Sequence, residues 1–193
     1  MAGWVMAGEN IQELIDGDFD HSVVVLMCGI AGSGKTTFSQ MLEKHGYVRL
    51  SIDEEVWSTN GRYGIDYPVE KYREYLDDAH IRLRNKMLQL IQAKKRVVMD
   101  SSFWSRSERA EYKQLIENSG GIWRLVYLKV HPDELRRRLK IRSQRFDANA
   151  AFTITDEILT TFLNGFEEPK NEGEIVLENT SDTSVNPQSK FML

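Results

Sequence analysis

The sequence predicts an α/β fold of three layers, a five-stranded parallel sheet with helices on both faces. Three observations carry this. Short apolar runs alternate with helical-period segments along the chain, the order that crossover connections impose on a parallel sheet. The first apolar run leads directly into a glycine-rich turn and then a helix. The chain of 193 residues is long enough to bury one sizeable core.

Residues 1–20 read as an N-terminal extension with a short helix around Ile11 to Ile15, ended by Gly17. Residues 22–28 are the first strand. The helix opening at Lys35 sets Phe38, Met41 and Leu42 on one face and stops near Gly46. Residues 47–51 are the second strand, and a short helix begins about Asp53. Asn60-Gly61 marks a turn. Past Pro68, a long helix over residues 69–93 repeats Tyr72, Leu76, Ala79, Leu83, Met87 and Leu90 at spacings of three or four. Residues 96–100 are the third strand. Ser105 and Glu108 then form a capping-box pattern for a helix to about Asn118. The fourth strand covers 123–130, and a strongly charged helix follows from His131-Pro132 to about Arg145. A polar stretch over 146–153 leads to a helix capped at Thr155 and running to about Phe166. Residues 174–178 are a short fifth strand, and the polar tail 180–193 is expected to be disordered. The main domain is thus 21–179.

The turn after the first strand is the most informative element. Gly29, Ile30, Ala31, Gly32, Ser33, Gly34, Lys35, Thr36 and Thr37 fit G-x-x-x-x-G-K-[ST], the phosphate-cradling P-loop, in the strand–loop–helix setting its chemistry needs. Glycines let the backbone come close to a phosphate, loop N–H groups form an anion nest, and the helix N-terminus adds about half a positive charge. Lys35 is expected on the terminal phosphates and Thr36 on Mg²⁺. The pattern implies a nucleoside triphosphate, and it does not by itself say what becomes of the γ-phosphate.

Composition restricts the partners. Net charge is −4, from 25 basic and 29 acidic residues, which argues against holding nucleic acid by bulk charge. Cys28 is the single cysteine, so neither an intrachain disulfide nor a cysteine metal cluster is available. No apolar run approaches the ~20 residues of a membrane span, and the N-terminus lacks a secretory pattern. The expectation is a cytoplasmic protein without a membrane partner.

Ligands of such sheets gather at the carboxyl ends of the strands. Asp53 follows the second strand and Asp100 ends the third, so both project toward the P-loop. Asp53 is assigned as general base for an acceptor hydroxyl and Asp100 as the metal-side carboxylate; the competing roles are a helix cap for Asp53 and a plain turn residue for Asp100. In the charged helix, Arg138, Arg142 and Arg145 share a face, a pattern suited to a lid at about 136–155 that presents forked donors to phosphoryl oxygens. Arg138 and Arg142 are the catalytic candidates. Trp57, Arg62, Tyr63, Phe103, Trp104, His80 and Arg84 are candidates for an acceptor pocket, although each taken singly reads first as structural.

These features together resemble the small P-loop kinases grouped with zeta-toxin-like and polynucleotide-kinase-like AAA-type ATP-binding proteins. The resemblance spans about Val23 to Pro169. It rests on GIAGSGKTT from Gly29, Leu50-Ser51-Ile52-Asp53, VVMDSSFWSRSER from Val97 and LKVHPDELRRRLKIR from Leu128, and it closes with Thr155-Asp156-Glu157 and Phe166-Glu167-x-Pro169. It implies a P-loop kinase fold, ATP and Mg²⁺, γ-phosphate transfer to a hydroxyl, and a lid with sensor arginines. It also places Asn179, in the Glu178-Asn179-Thr180 segment, beside the adenine. Similar polynucleotide kinases carry an arginine shortly after the acceptor-side aspartate, where this chain has Glu54, Glu55 and Val56. The leading expectation is therefore a kinase of a hydroxyl-bearing small molecule. The alternatives are a polynucleotide 5′-hydroxyl kinase and a non-catalytic nucleotide-binding or switch protein. The guanine-reading N-K-x-D pattern of GTP switches is absent.

Overall fold

Strand β1 (Val23–Cys28) is buried along its entire length, and its side chains divide by the two-residue period of a strand. Val24, Leu26 and Cys28 enter one apolar cluster, while Val23, Val25 and Met27 enter another on the opposite face. A strand apolar on both faces needs cover on both, which is why helices flank it on each side. In this computed structural model, which describes Leu14 and residues 20–179, the remaining elements supply that cover.

The sheet order is β2-β3-β1-β4-β5, with β2 Val48–Ser51, β3 Val97–Asp100, β4 Ile122–Val130 and β5 Glu174–Asn179. All pairings are parallel. The first face is covered by α3 (Tyr72–Gln92) and α4 (Arg106–Asn118). Ala79, Leu83, Met87 and Ile91 of α3 and Tyr112 and Ile116 of α4 lie in its cluster. The second face is covered by α1 (Lys35–Lys44), through Phe38 and Leu42. A third, smaller cluster joins Ile30 of the P-loop to Leu135 and Leu139 of α5 (Pro132–Arg142) and Leu159 of α6 (Asp156–Gly165). The arginine-bearing helix is therefore seated on the loop it overhangs.

Local chemistry sets the helix ends. Ser105 caps α4 by accepting from Glu108 N at 3.1 Å, and Thr155 caps α6 by accepting from Ile158 N at 3.4 Å, as the sequence patterns predict. The helix after β2 differs from expectation. It is α2 (Ile52–Asn60), capped by Ser51, which accepts from Glu54 N at 3.4 Å. Asp53 is thus inside the first turn and is not the cap. The long helix begins with a 3₁₀ turn, Val69–Lys71, before α3. The charged helix stops at Arg142 instead of Arg145, because Arg145 folds back onto Asp147 at 2.7 Å and a second 3₁₀ turn, Ala148–Ala150, follows. The helix expected around Ile11 to Ile15 lies outside the described residues except for Leu14, whose carbonyl accepts from the Tyr47 hydroxyl at 2.9 Å. The tail 180–193 also lies outside them. No described helix is long and apolar enough to cross a membrane.

Candidate active site

The carboxyl ends of β1, β3 and β2 deliver the P-loop, Asp100 and α2 to one edge of the sheet. There they line a cleft of about 1100 Å³. At its base the P-loop curls tightly enough to require glycine. Gly29 has φ +144°, and a Cβ there would stand 2.8 Å from Ser33 Oγ and 2.9 Å from the Leu128 carbonyl. Gly34 precedes α1 without a capping side chain, and no acidic residue occupies the first turn. The N–H groups that begin α1 are left for an anion. The Ser33 hydroxyl is buried and has no hydrogen-bond partner among the described residues. Ala31, Gly32, Gly34, Lys35, Thr36 and Thr37 all face the cleft.

Lys35 lies across its own loop, donating from Nζ to Gly29 O at 2.8 Å and to Ile30 O at 3.2 Å. Burial lowers its pKa, and the nearby carboxylates of Asp100 and Asp53 oppose that fall. Asp53 opens onto the cleft from the first turn of α2. The enclosing walls raise its pKa; Arg142 and Lys35 oppose that rise, and Asp100 adds to it. Arg142, at the end of α5, forms no hydrogen bond or ion pair with any described residue, and its guanidinium is uncommitted. Burial lowers its pKa and the Asp53 charge counters that. Two cations and two carboxylates therefore converge on one point from four separate elements.

Asp100 is held by a residue the sequence reading overlooked. Arg49 on β2 donates from Nε and Nη2 to Asp100 Oδ2 at 3.0 and 2.7 Å. Its Nη1 reaches Glu54 at 2.9 Å. The Arg49 and Asp100 side chains are only 5% and 4% exposed. This fork fixes one carboxylate oxygen and leaves Oδ1 outside the clamp. The overlooked signal was register: Arg49 precedes Ser51, which pairs with Asp100, by two residues, so the two side chains share a sheet face. Asn149, in the second 3₁₀ turn, was also missed. It meets Thr36 Oγ1 at 3.5 Å through Oδ1 and donates to Glu54 Oε1 at 3.2 Å, tying the segment after α5 to the P-loop and the Arg49 network.

Arg138 donates from Nε to Glu134 at 2.7 Å and from Nη1 toward the Gly32 and Ser33 carbonyls at 3.4 and 3.3 Å. Phe103 and Trp104 line the cleft, held by Arg109, which is fully buried, pairs with Glu172 at 2.7 Å and donates to both their carbonyls. Phe103 adopts φ +41°, a strained value that this brace sustains. His80 also lines the cleft. Trp57, Arg62 and Arg84 do not: Trp57 packs edge-on to Phe146, Arg62 pairs with Asp66, and Arg84 turns to Glu111. Tyr63 stands behind the wall, against Tyr72 and Phe152. Cys28 sits under the loop with its thiol pushed up to about 12 by burial, so it is inert packing. Asn179 ends β5 opposite Val130.

The family model for the AAA domain matches residues 24–169, about three quarters of the sequence. The chain belongs to this AAA domain family. No curated protein matches it. Among solved structures, a provisionally assigned kinase from Chloroflexus aurantiacus J-10-fl superposes with TM-score 0.69 at 16% identity, covering 88% of this chain and 91% of the other. The APS kinase CysC of Mycobacterium tuberculosis, solved with AMPPNP and APS, gives TM-score 0.56 at 18% identity and covers 85% and 91%. A gluconokinase from Sinorhizobium meliloti 1021 gives 0.52 at 21% and covers 83% of each chain. At these identities the likeness establishes the fold, and this AAA-domain chain has the fold of small P-loop kinases.

Proposed function

We propose that the chain is an ATP-dependent kinase that transfers the γ-phosphate to a hydroxyl of a small-molecule acceptor. One observation carries this reading: Lys35, Asp53, Asp100 and Arg142 face a single cleft together with an uncapped helix N-terminus behind a glycine cradle. A protein that only binds nucleotide has no use for a carboxylate at position 53 facing the loop.

The P-loop N–H groups and the α1 N-terminus bind the phosphate tail, with Gly29 and Gly32 keeping the approach clear. Lys35 exchanges its two loop carbonyls for β- and γ-phosphoryl oxygens. Asp53 orients the acceptor hydroxyl and takes its proton. The new bond joins acceptor oxygen to phosphorus, the bond from phosphorus to the β–γ bridging oxygen breaks, ADP leaves, and Asp53 later returns the proton to water. Arg142 and Arg138, in a lid at 136–155, meet the charge that spreads over the transferring oxygens. The Thr36 hydroxyl and the free oxygen of Asp100 are the donor pair that fits Mg²⁺, which takes one or two protein ligands and fills its shell with waters and phosphates. No group of three or more His, Cys, Asp or Glu among the described residues makes a self-sufficient metal cage, in keeping with that sparse donor set. Bound there, the ion would neutralise phosphate charge. Asn179 is proposed to stand beside the adenine.

The test is transfer from γ-labelled ATP to a panel of alcohols, sugars, amino alcohols and 5′-hydroxyl oligonucleotides, with Lys35→Ala as control. Labelled product from the intact chain and none from the variant supports the reading. Transfer to the oligonucleotide alone would replace the small acceptor by a polynucleotide end. Absence of transfer to every member would overturn kinase activity.

A further inference from the structure

One wall of the cleft is a stripe of α3. Tyr72, Leu76 and His80 stand four residues apart on that helix, and all three line the cleft. At 1.5 Å per residue the stripe runs roughly 12 Å from Tyr72 to His80. Its Tyr72 end is the reacting end, because Tyr72 lies within the fields of Asp53 and Arg142. Its His80 end meets α4. One turn beyond His80, the Arg84 guanidinium lies 5.9 Å over the ring of Tyr112, and Tyr112 is one turn beyond Glu108. His80 and Glu108 therefore stand at the same depth on neighbouring helices, and both line the cleft. Leu76, Phe103, Trp104 and Phe152 add an apolar, largely aromatic lining, with Phe152 edge-on to Tyr72 at the reacting end.

The charges are distributed unevenly. The cationic lining residues are Lys35, Arg138, Arg142 and Arg145, from the P-loop, α5 and the turn after it. Neither α3, α4 nor the Phe103–Trp104 wall contributes a cation to the described lining, whereas the far end holds the Glu108 carboxylate. Burial raises the Glu108 pKa, while the Trp104 and Ser105 backbone and the charge of Arg109 oppose that rise. His80 has no hydrogen bond or ion pair to a described residue. Burial lowers its pKa, and Asp77 opposes that only in part, so the imidazole is neutral and has an acceptor nitrogen to offer.

Resting on the kinase reading above, we propose that the acceptor is an apolar, ring-bearing alcohol with a reach of about 10 Å, whose far end is a hydrogen-bond donor, best an amine, read by Glu108 and His80. An acceptor ending in a carboxylate or phosphate would bring a second negative charge against Glu108 at an end where α3, α4 and the Phe103–Trp104 wall add no cation to the described lining, and burying an unpaired charge is costly. Polyhydroxylated sugars would leave their hydroxyls against Leu76 and the aromatic wall.

The experiment uses the full chain with AMPPNP and Mg²⁺. Calorimetry measures binding of a phenyl-bearing amino alcohol of that length, its analogue with the amine replaced by a carboxylate, and gluconate. Turnover of the same three with ATP is followed by ADP release. The amino alcohol is expected to bind at least ~10-fold more tightly than either acid, a ratio equivalent to ~1.4 kcal/mol. Glu108→Gln keeps an acceptor oxygen for the helix cap and should reduce that ratio severalfold. His80→Ala should weaken the amino alcohol without improving the acids. Equal or tighter binding of an acid, a Glu108→Gln ratio unchanged from the parent, or no binding by any of the three overturns the proposal. The two readings fail separately. Selective binding with no turnover removes the kinase and keeps the pocket, whereas turnover confined to gluconate keeps the kinase and removes this acceptor class.

Discussion

Arg49→Met tests whether the fork on Asp100 holds the site together. The substitution keeps an apolar stem of similar length and removes the guanidinium. Asp100, with a side chain 4% exposed, then loses both bonds from Arg49 and becomes a buried carboxylate without its partner. Breaking a buried pair from one side costs about 3–5 kcal/mol. Glu54, at 43% exposed, regains water easily, so its lost pair adds no more than about 1 kcal/mol. With a slope near ~2 kcal/mol/M, the urea midpoint should fall by roughly 2 M. Adding Asp100→Asn removes the stranded charge, so the double variant should be more stable than Arg49→Met alone. Paired urea melts at neutral pH decide it. A loss below about 1 kcal/mol for Arg49→Met, or a double variant no more stable than the single, would refute the reasoning.

Asp53→Asn separates stability from activity. Burial raises the Asp53 pKa above the ordinary 3.8, so the protonated carboxyl contributes stability that is full below 3.8 and is lost as pH rises through the folded pKa, where the buried carboxylate forms. At neutral pH the variant should melt at the same temperature or higher by calorimetry while losing ~10²–10⁴-fold in kcat; a clearly lower melting temperature contradicts the burial argument. In the parent, kcat/KM should rise with pH on an acid limb centred above 3.8, and that limb should be missing from the residual rate of the variant. Arg142→Gln should lower kcat by ~10³-fold or more with little change in AMPPNP affinity; a pure affinity loss would make Arg142 a binding residue. Asn149→Ala removes contacts worth about 1 kcal/mol and should weaken nucleotide binding severalfold while lowering the melting temperature by no more than about 2–4 °C, checked by fluorescence titration and calorimetry.

The parts of this molecule that obey local rules were legible in the sequence. The P-loop declared itself because backbone geometry admits only glycine at Gly29 and because β1, buried on both faces, reads as an unbroken apolar run. Ser105 and Thr155 announced their helices through capping chemistry. What escaped depends on pairings between distant segments. Arg49 matters only because β2 lies beside β3, and Asn149 only because the turn after α5 returns to Thr36 across more than a hundred residues. The cap weighed as a competing role for Asp53 belongs to Ser51, since both are polar residues at the same strand end and a two-residue shift decides between them. Arg145 left its helix for the same kind of reason: Asp147 offered a closer partner than another helical turn. Aromatic residues were the hardest to sort. Phe103 lines the cleft and Trp57 does not, although both follow strands and look alike in the chain.

The seating of α5 has a mechanical consequence. A Cβ at Gly32 would meet Leu139 Cγ at 3.2 Å, and Arg138 grips the carbonyls of Gly32 and Ser33. The cradle and the overhanging helix are thus geared together at their root. A change in the curl of residues 29–34 as an anion enters must turn the helix, and with it the guanidinium at its far end, so occupancy at the floor would be transmitted to the roof without a separate hinge.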